Sequence, residues 1–251
     1  MWLPLWNLER LKMLGIKGLR VFITGASRGI GLAIAKRLGA EDAVLCLAAS
    51  SIGSFDEVRD EFDDDRTYFV GGNLLKKDPP VEMVHEAAGL MGGIDVVINN
   101  AGLAFAKPVE ETNVDDWDRV MKLNARAPFL ICRESLEYLK ASERAVIINI
   151  SSVVGIKGYE NQSAYSASKH ALMGFTRAMA KEYQKYGIRV HTVSPGGVAT
   201  EMVLGTRPDL DASVLIKPEE IAELVYFILT HRGNAVIDEY NIRRDANIPF
   251  K

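Results

Sequence analysis

Apolar runs and polar intervals alternate along this chain with a regular beat. A short β-rich run, Leu19-Arg20-Val21-Phe22-Ile23-Thr24, is followed by a glycine-bearing turn and then by Leu32 to Leu38, whose apolar spacing and composition suit a helix. The same beat returns. Ala43 to Ala49 predicts a strand, Phe55 to Phe62 a helix, Thr67 to Val70 a strand, and the Val81 to Met91 region a helix. Ile94 to Ile98 and Ala145 to Ile150 predict strands. Between them, Val114 to Leu139 predicts one or two helices, with Pro128 marking a start or kink. A long helix from about Ala164 to Tyr186 precedes a sixth strand, Ile188 to Val193. Repeated strand–helix units predict an α/β fold with a single Rossmann-type, doubly wound parallel sheet flanked by helices on both faces. Residues 18–251 read as one domain with its pocket built in. The apolar start, Met1 to Trp6, meets Glu9, Arg10 and Lys12 at once, which is not the order of a signal peptide. Residues 1–17 are either a short amphipathic helix or, up to Met13, a stretch ahead of the natural start.

Charge and composition remove several classes. The 30 basic and 33 acidic residues leave a formal charge of −3, with no long run of either sign, so a nucleic-acid surface is not expected. No apolar run reaches membrane-spanning length. Cys46 and Cys132 sit in apolar segments and read as buried thiols of a reducing, cytoplasmic compartment. The four histidines show no metal spacing, so no metal is expected.

Candidate chemistry gathers at the predicted carboxyl ends of the strands, where ligands bind in open parallel sheets. In Gly25-Ala26-Ser27-Arg28-Gly29-Ile30-Gly31, between strand and helix, Gly25 permits the turn, Gly29 lets backbone approach a pyrophosphate, and Gly31 allows close helix packing. An acidic residue that would hold the adenosine ribose of NAD is missing after the second strand, where Ala48, Ala49, Ser50 and Ser51 stand. That gap leaves room for a 2′-phosphate, which Arg28 can pair, and favours NADP(H) over NAD(H). Tyr165 and Lys169 lie four residues apart on one helix face, so the lysine is expected to lower the phenol's pKa and fit it for proton transfer. Ser152, at the end of the fifth strand, can face the same phenol.

These motifs together resemble those of the short-chain dehydrogenases/reductases over residues 19 to about 228, including members such as the 3-oxoacyl acyl-carrier-protein reductases. Thr24-Gly25-Ala26-Ser27-Arg28-Gly29-Ile30-Gly31 matches the family's glycine signature, and Asn99-Asn100-Ala101-Gly102 its structural Asn-Asn-Ala-Gly. The resemblance implies a tetrad of Asn124, Ser152, Tyr165 and Lys169. It also implies cofactor contacts from Ser27, Ile30, Asn100, Ala101, Gly102, Tyr165, Lys169, Pro195, Gly196, Val198 and Thr200. Asn73-Leu74 stand where an Asp-Leu or Asp-Val pair is common near the adenine, and asparagine retains a hydrogen-bonding capacity there. The C-terminal stretch from Ala235 to Arg244 lacks the glycine-rich tail of many members.

The activity so implied is NADP-dependent reduction of a ketone or 3-oxoacyl carbonyl to an alcohol, or the reverse, with Tyr165 as general acid/base. Ser152 would steady the carbonyl oxygen, and Asn124 would hold a relay water through its backbone. The alternatives are an idle NADP-binding sensor or scaffold, and a sugar-nucleotide epimerase or dehydratase. The substrate pocket is expected to be ringed by Ala104, Phe105, Val153, Val154, Tyr159, Met202 and Val203, together with Ser152 and Tyr165, as suits a small organic carbonyl compound. The family's helix pairing implies a homodimer or homotetramer.

Overall fold

A computed structural model describes residues 14–206 and 211–249; most of the N-terminal preface, residues 1–13, lies outside that range. The strands are β1 (Arg20–Thr24), β2 (Val44–Ala49), β3 (Thr67–Gly71), β4 (Val96–Asn99), β5 (Val146–Ile150), β6 (Arg189–Pro195) and β7 (Glu239–Ile242). The helices are α1 (Gly29–Gly39), α2 (Asp78–Met91), α3 (Val114–Met121), α4 (Ala127–Lys140), α5 (Ser163–Tyr183), α6 (Glu201–Thr206) and α7 (Pro218–Thr230). Among the described residues, seven strands pair in parallel, in the order β3-β2-β1-β4-β5-β6-β7. The order reverses between β1 and β4, which makes their carboxyl ends the switch point where a crevice opens.

The sheet is buried on both faces. Ile23, Leu45, Leu47, Ile98 and Ile148 pack with Ile34 and Leu38 of α1 and Ile221 to Leu229 of α7. On the other face Phe22, Cys46, Val97 and Ile147 pack with side chains of α2, α4 and α5, including Met83, Ile131 and Met179. Double coverage explains why the central strands read as unbroken apolar runs rather than alternating ones. Burial pushes the Cys46 and Cys132 thiols up to about 12, so both are inert at neutral pH.

The expected helix over Phe55 to Phe62 does not form. Two single 3-10 turns, Ile52–Phe55 and Arg59–Glu61, take its place. Gly53 and Ser54 are weak helix formers, and in the two turns only Phe55 finds a buried site, against the Phe69 ring at 4.9 Å. The Val114 to Leu139 region is two helices joined by a π-helical turn over Lys122–Arg126, with Pro128 in the first turn of α4. The strand β7 was not signalled by the sequence. It is a half-buried edge strand, and its register sets Pro195 beside Ile242.

Candidate active site

The carboxyl ends of the strands enclose a cavity of about 790 Å³. Its first wall is the glycine turn. Gly25 has φ +64°, and a Cβ there would sit 2.8 Å from Ala101 Cα; at Gly31 a Cβ would strike the Gly25 carbonyl oxygen. Glycine is therefore required twice, once for the turn and once for helix-to-turn packing. The segment after β4 is tied to this turn. Thr24 Oγ1 accepts from the amides of Asn100 and Ala101 at 3.1 Å each, and Asn100 Nδ2 donates to the carbonyls of Thr24 (3.0 Å) and Gly25 (2.9 Å). Asn99 points the other way and donates to buried Asn149 (2.8 Å).

The start of α1 is built to receive an anion. Its first turn holds no acidic residue, and its N-cap, Arg28, makes no side-chain cap. Helix α3, by contrast, is closed by Asn113, whose side chain accepts from the Asp116 amide (2.8 Å). Uncapped N–H groups at the head of α1, beside the cavity walls Gly25, Ser27, Gly29 and Ile30, suit a pyrophosphate. Ser50, Asn73 and Leu74 line one extension of the cavity and no carboxylate stands among them. The Asn73 side chain already accepts from the Leu75 amide (3.0 Å). Arg28 is not a free cation: it forms an exposed ion pair with Glu201 at 2.6 Å. That bond ties α6 to the glycine turn, where a Cβ on Gly29 would lie 3.2 Å from Thr200 Cγ2.

Tyr165 and Lys169, on one face of α5 as their spacing requires, line the cavity together with Ser152 from the end of β5. Ser152 Oγ donates to the Pro195 carbonyl (3.4 Å) and accepts from the Val154 amide (3.3 Å). Lys169 is almost fully buried, and its Nζ donates to the Ile150 carbonyl at 2.9 Å, 6.0 Å from the Tyr165 ring centroid. Asn124 lies in the π-helical turn and is fully buried, off the cavity wall. Its side chain donates to the Leu103 carbonyl (2.8 Å) and Ser168 Oγ (3.0 Å) and accepts from the Leu103 amide (2.9 Å). Those bonds consume the side chain, so only the Asn124 backbone remains for other partners. The π-helical turn lets this residue bridge the loop after β4 and helix α5.

The electrostatics run opposite to the sequence expectation. Burial raises the Tyr165 phenol above its ordinary value, and the Ser152 hydroxyl only partly offsets this. Burial also lowers Lys169, to about 8. Lys169 is almost fully buried and Tyr165 partly so, and desolvation of the charged form is the largest cause of the shift in each.

Other expected residues also line the cavity: Asn100, Ala101, Gly102, Pro195, Gly196, Val198 and Thr200 toward the glycine turn and β6, and Val153, Val154, Tyr159, Ala104 and Phe105 with Met202 and Val203 toward the opening. Gly31 supports the wall from behind. Sequence reasoning missed Arg244 and Asn247, which reach the cavity from the chain beyond β7. Their signal was weak, because that stretch is too short to show periodicity. Among the described residues, no three His, Cys, Asp or Glu side chains converge as metal ligands do.

The family model described as short chain dehydrogenase matches residues 20–211. The chain belongs to the short-chain dehydrogenase family. It is therefore an oxidoreductase acting on alcohol and carbonyl groups. It is similar to the cis-4-hydroxycyclohexanecarboxylate dehydrogenase of Sinomonas cyclohexanicum, 32% identical over 225 residues, covering 86% of this chain and 90% of that protein. It is also similar to the 3-oxoacyl acyl-carrier-protein reductase of Aquifex aeolicus (strain VF5), 30% identical, with 89% of this chain and 95% of that protein covered. Among solved structures, a short-chain dehydrogenase from Burkholderia cenocepacia J2315 in complex with NADP superposes with a TM-score of 0.83 at 27% identity, covering 92% of this chain and 98% of that one.

Proposed function

We propose that this short-chain dehydrogenase interconverts a small organic ketone and its alcohol with NADP(H), using Tyr165 as general acid/base. The observation that carries this reading is the convergence of Ser152, Tyr165 and Lys169 on one cavity whose other end is an uncapped helix start behind a glycine turn. The pyrophosphate of a dinucleotide fits the free N–H groups of α1. The 2′-phosphate of NADP fits Ser50 and Arg28, once Arg28 exchanges its ion pair with Glu201 for the phosphate. A structural relative binds NADP, which agrees with this assignment. When bound, the nicotinamide supplies or accepts the hydride.

The chain's own residues handle the proton and the oxygen. Tyr165, kept as neutral phenol by burial, holds the proton that a developing alkoxide needs. Ser152 Oγ presents a second donor to the same oxygen, exchanging its long bond to the Pro195 carbonyl for a charge-assisted one. Lys169 supplies the nearby cation, which favours the phenolate form when the reaction runs toward oxidation. Asn124 positions: it locks the loop after β4 against α5 and leaves its backbone as an anchor for a relay water. Val153, Val154, Tyr159 and Met202 give the substrate a largely apolar wall. The named relatives act on a hydroxycyclohexane acid and on 3-oxoacyl groups, both within reach of this chemistry.

Residues 18–251 serve as one domain carrying both cofactor cleft and pocket. Trp117 of α3 and Phe129 of α4 remain 41% and 42% exposed, which supports pairing of these helices in a homo-oligomer. The first experiment is an NADPH-oxidation screen against ketones, aldehydes and acyl thioesters. Turnover of ketones supports the reading, and silence toward every carbonyl class with NADPH bound overturns it.

A further inference from the structure

Among the described residues, the cavity's cations divide into those already engaged and one that is not. Arg28 is paired with Glu201, Lys36 is paired with Glu61, and Lys169 donates into the Ile150 carbonyl. Arg244 is half-buried on the cavity wall, and among the described residues its side chain makes no hydrogen bond and no ion pair. A guanidinium is costly to leave without acceptors when partly withdrawn from water.

Its placement is constructed. Strand β7 runs beside β6, and the Gly196 amide donates to the Ile242 carbonyl at 2.8 Å. Two residues later, Arg244 passes so close to Gly196 that a Cβ there would lie 3.9 Å from Arg244 Cγ. Gly196 directly follows Pro195, whose carbonyl accepts from Ser152 Oγ. Arg244 therefore enters at the Ser152 end of the cavity. The turn that presents it is held by its neighbour. Arg243 Nη1 donates to the carbonyls of Arg244 (3.0 Å), Asp245 (2.8 Å) and Asn247 (3.0 Å), and the Asn247 amide closes onto the Arg244 carbonyl (3.0 Å). One arginine is spent folding the turn, and the next is left facing the pocket with Asn247 beside it. The cavity's acidic side chains do not answer it: Glu201 is taken by Arg28, and Glu219 stands at the head of α7, which packs along α1.

We propose that Arg244 is a specificity-determining residue that binds a carboxylate on the substrate, so that the preferred substrates are keto acids and hydroxy acids with an apolar body. This rests on the carbonyl–alcohol reading above and names its substrate class. The apolar walls around Val154, Tyr159 and Met202 hold the body. The guanidinium fork holds the acid group in two parallel N–H···O bonds, and Asn247 adds a neutral donor.

The test compares 4-oxocyclohexanecarboxylate with its methyl ester, which keeps the ketone and removes the charge. Wild-type enzyme with NADPH is expected to favour the acid in kcat/KM. Arg244→Ala should reduce the acid-to-ester ratio by about ten- to a hundredfold, as loss of a charge-assisted bond implies, and Arg244→Lys should restore part of it. A ratio unmoved by Arg244→Ala overturns the proposal. A second measurement needs no turnover: ligand-observed NMR of cyclohexanecarboxylate on the NADP-loaded enzyme. Binding to wild type that is lost in Arg244→Ala supports the site even if the ketone reading fails. Absent binding, or equal binding to both, overturns it.

Discussion

Replacing Lys169 with methionine should make the protein more stable at neutral pH while removing its function. The side chain keeps its length and apolar stem but loses a buried charge. Burial takes the ammonium from 10.5 to about 8, so charging it inside the fold costs about 3 kcal/mol relative to the unfolded chain. The sign follows from proton counting. The folded state binds fewer protons than the unfolded one between about pH 8 and 10.5, so wild-type stability rises with pH there. By the same linkage, about 2 kcal/mol returns between pH 7 and pH 9.5. Losing the donor to the Ile150 carbonyl offsets about 1–2 kcal/mol of the gain in the variant. Lys169→Met should thus be about 1–2 kcal/mol more stable at pH 7, or roughly 2–8 °C in Tm. At pH 9.5 that advantage should vanish. Urea unfolding of the cofactor-free proteins at both pH values, followed by far-UV circular dichroism, reads both numbers. A variant destabilised by the same amount at pH 7 and pH 9.5 would refute the view that this lysine sits in its site as a costly cation.

Two further expectations follow from the cavity and the surface. Arg28→Ala should weaken NADPH by about 1–3 kcal/mol and NADH far less, while Glu201→Gln, which releases Arg28 from its ion pair, should tighten NADPH; equal loss for both cofactors in a fluorescence titration would contradict the 2′-phosphate assignment. Static light scattering at micromolar concentration should give a multiple of the 27.7 kDa chain mass, and a mass equal to one chain would refute the pairing of helices across subunits.

The centre of this fold was readable because its central strands are covered on both sides and so stay apolar throughout. The glycine turn was readable because Gly25 and Gly31 meet backbone that tolerates no Cβ. Tyr165 and Lys169 were readable because a helix fixes their spacing. Strand β7 was not: an edge strand of four residues, Glu239–Ile242, that opens on a charged residue carries no buried pattern. The π-helical turn at Asn124 also escaped, since its cause is a set of bonds to Leu103 and Ser168 that are distant in sequence. The phenol's pKa was expected to fall from the adjacent lysine alone. Its rise depends on how much water the assembled cleft excludes, and that is a property of packing rather than spacing.

The most direct test of the proton-transfer assignment is Tyr165→Phe, assayed for NADPH binding and for ketone reduction in the same preparation. The substitution removes one oxygen and leaves the ring's packing, the glycine turn and Lys169 in place. The account predicts NADPH affinity within about twofold of wild type, with turnover lower by about 10²–10⁴-fold, the size of a general-acid contribution. Reduction at the wild-type rate would show that the proton comes from elsewhere, and Tyr165 would lose its role.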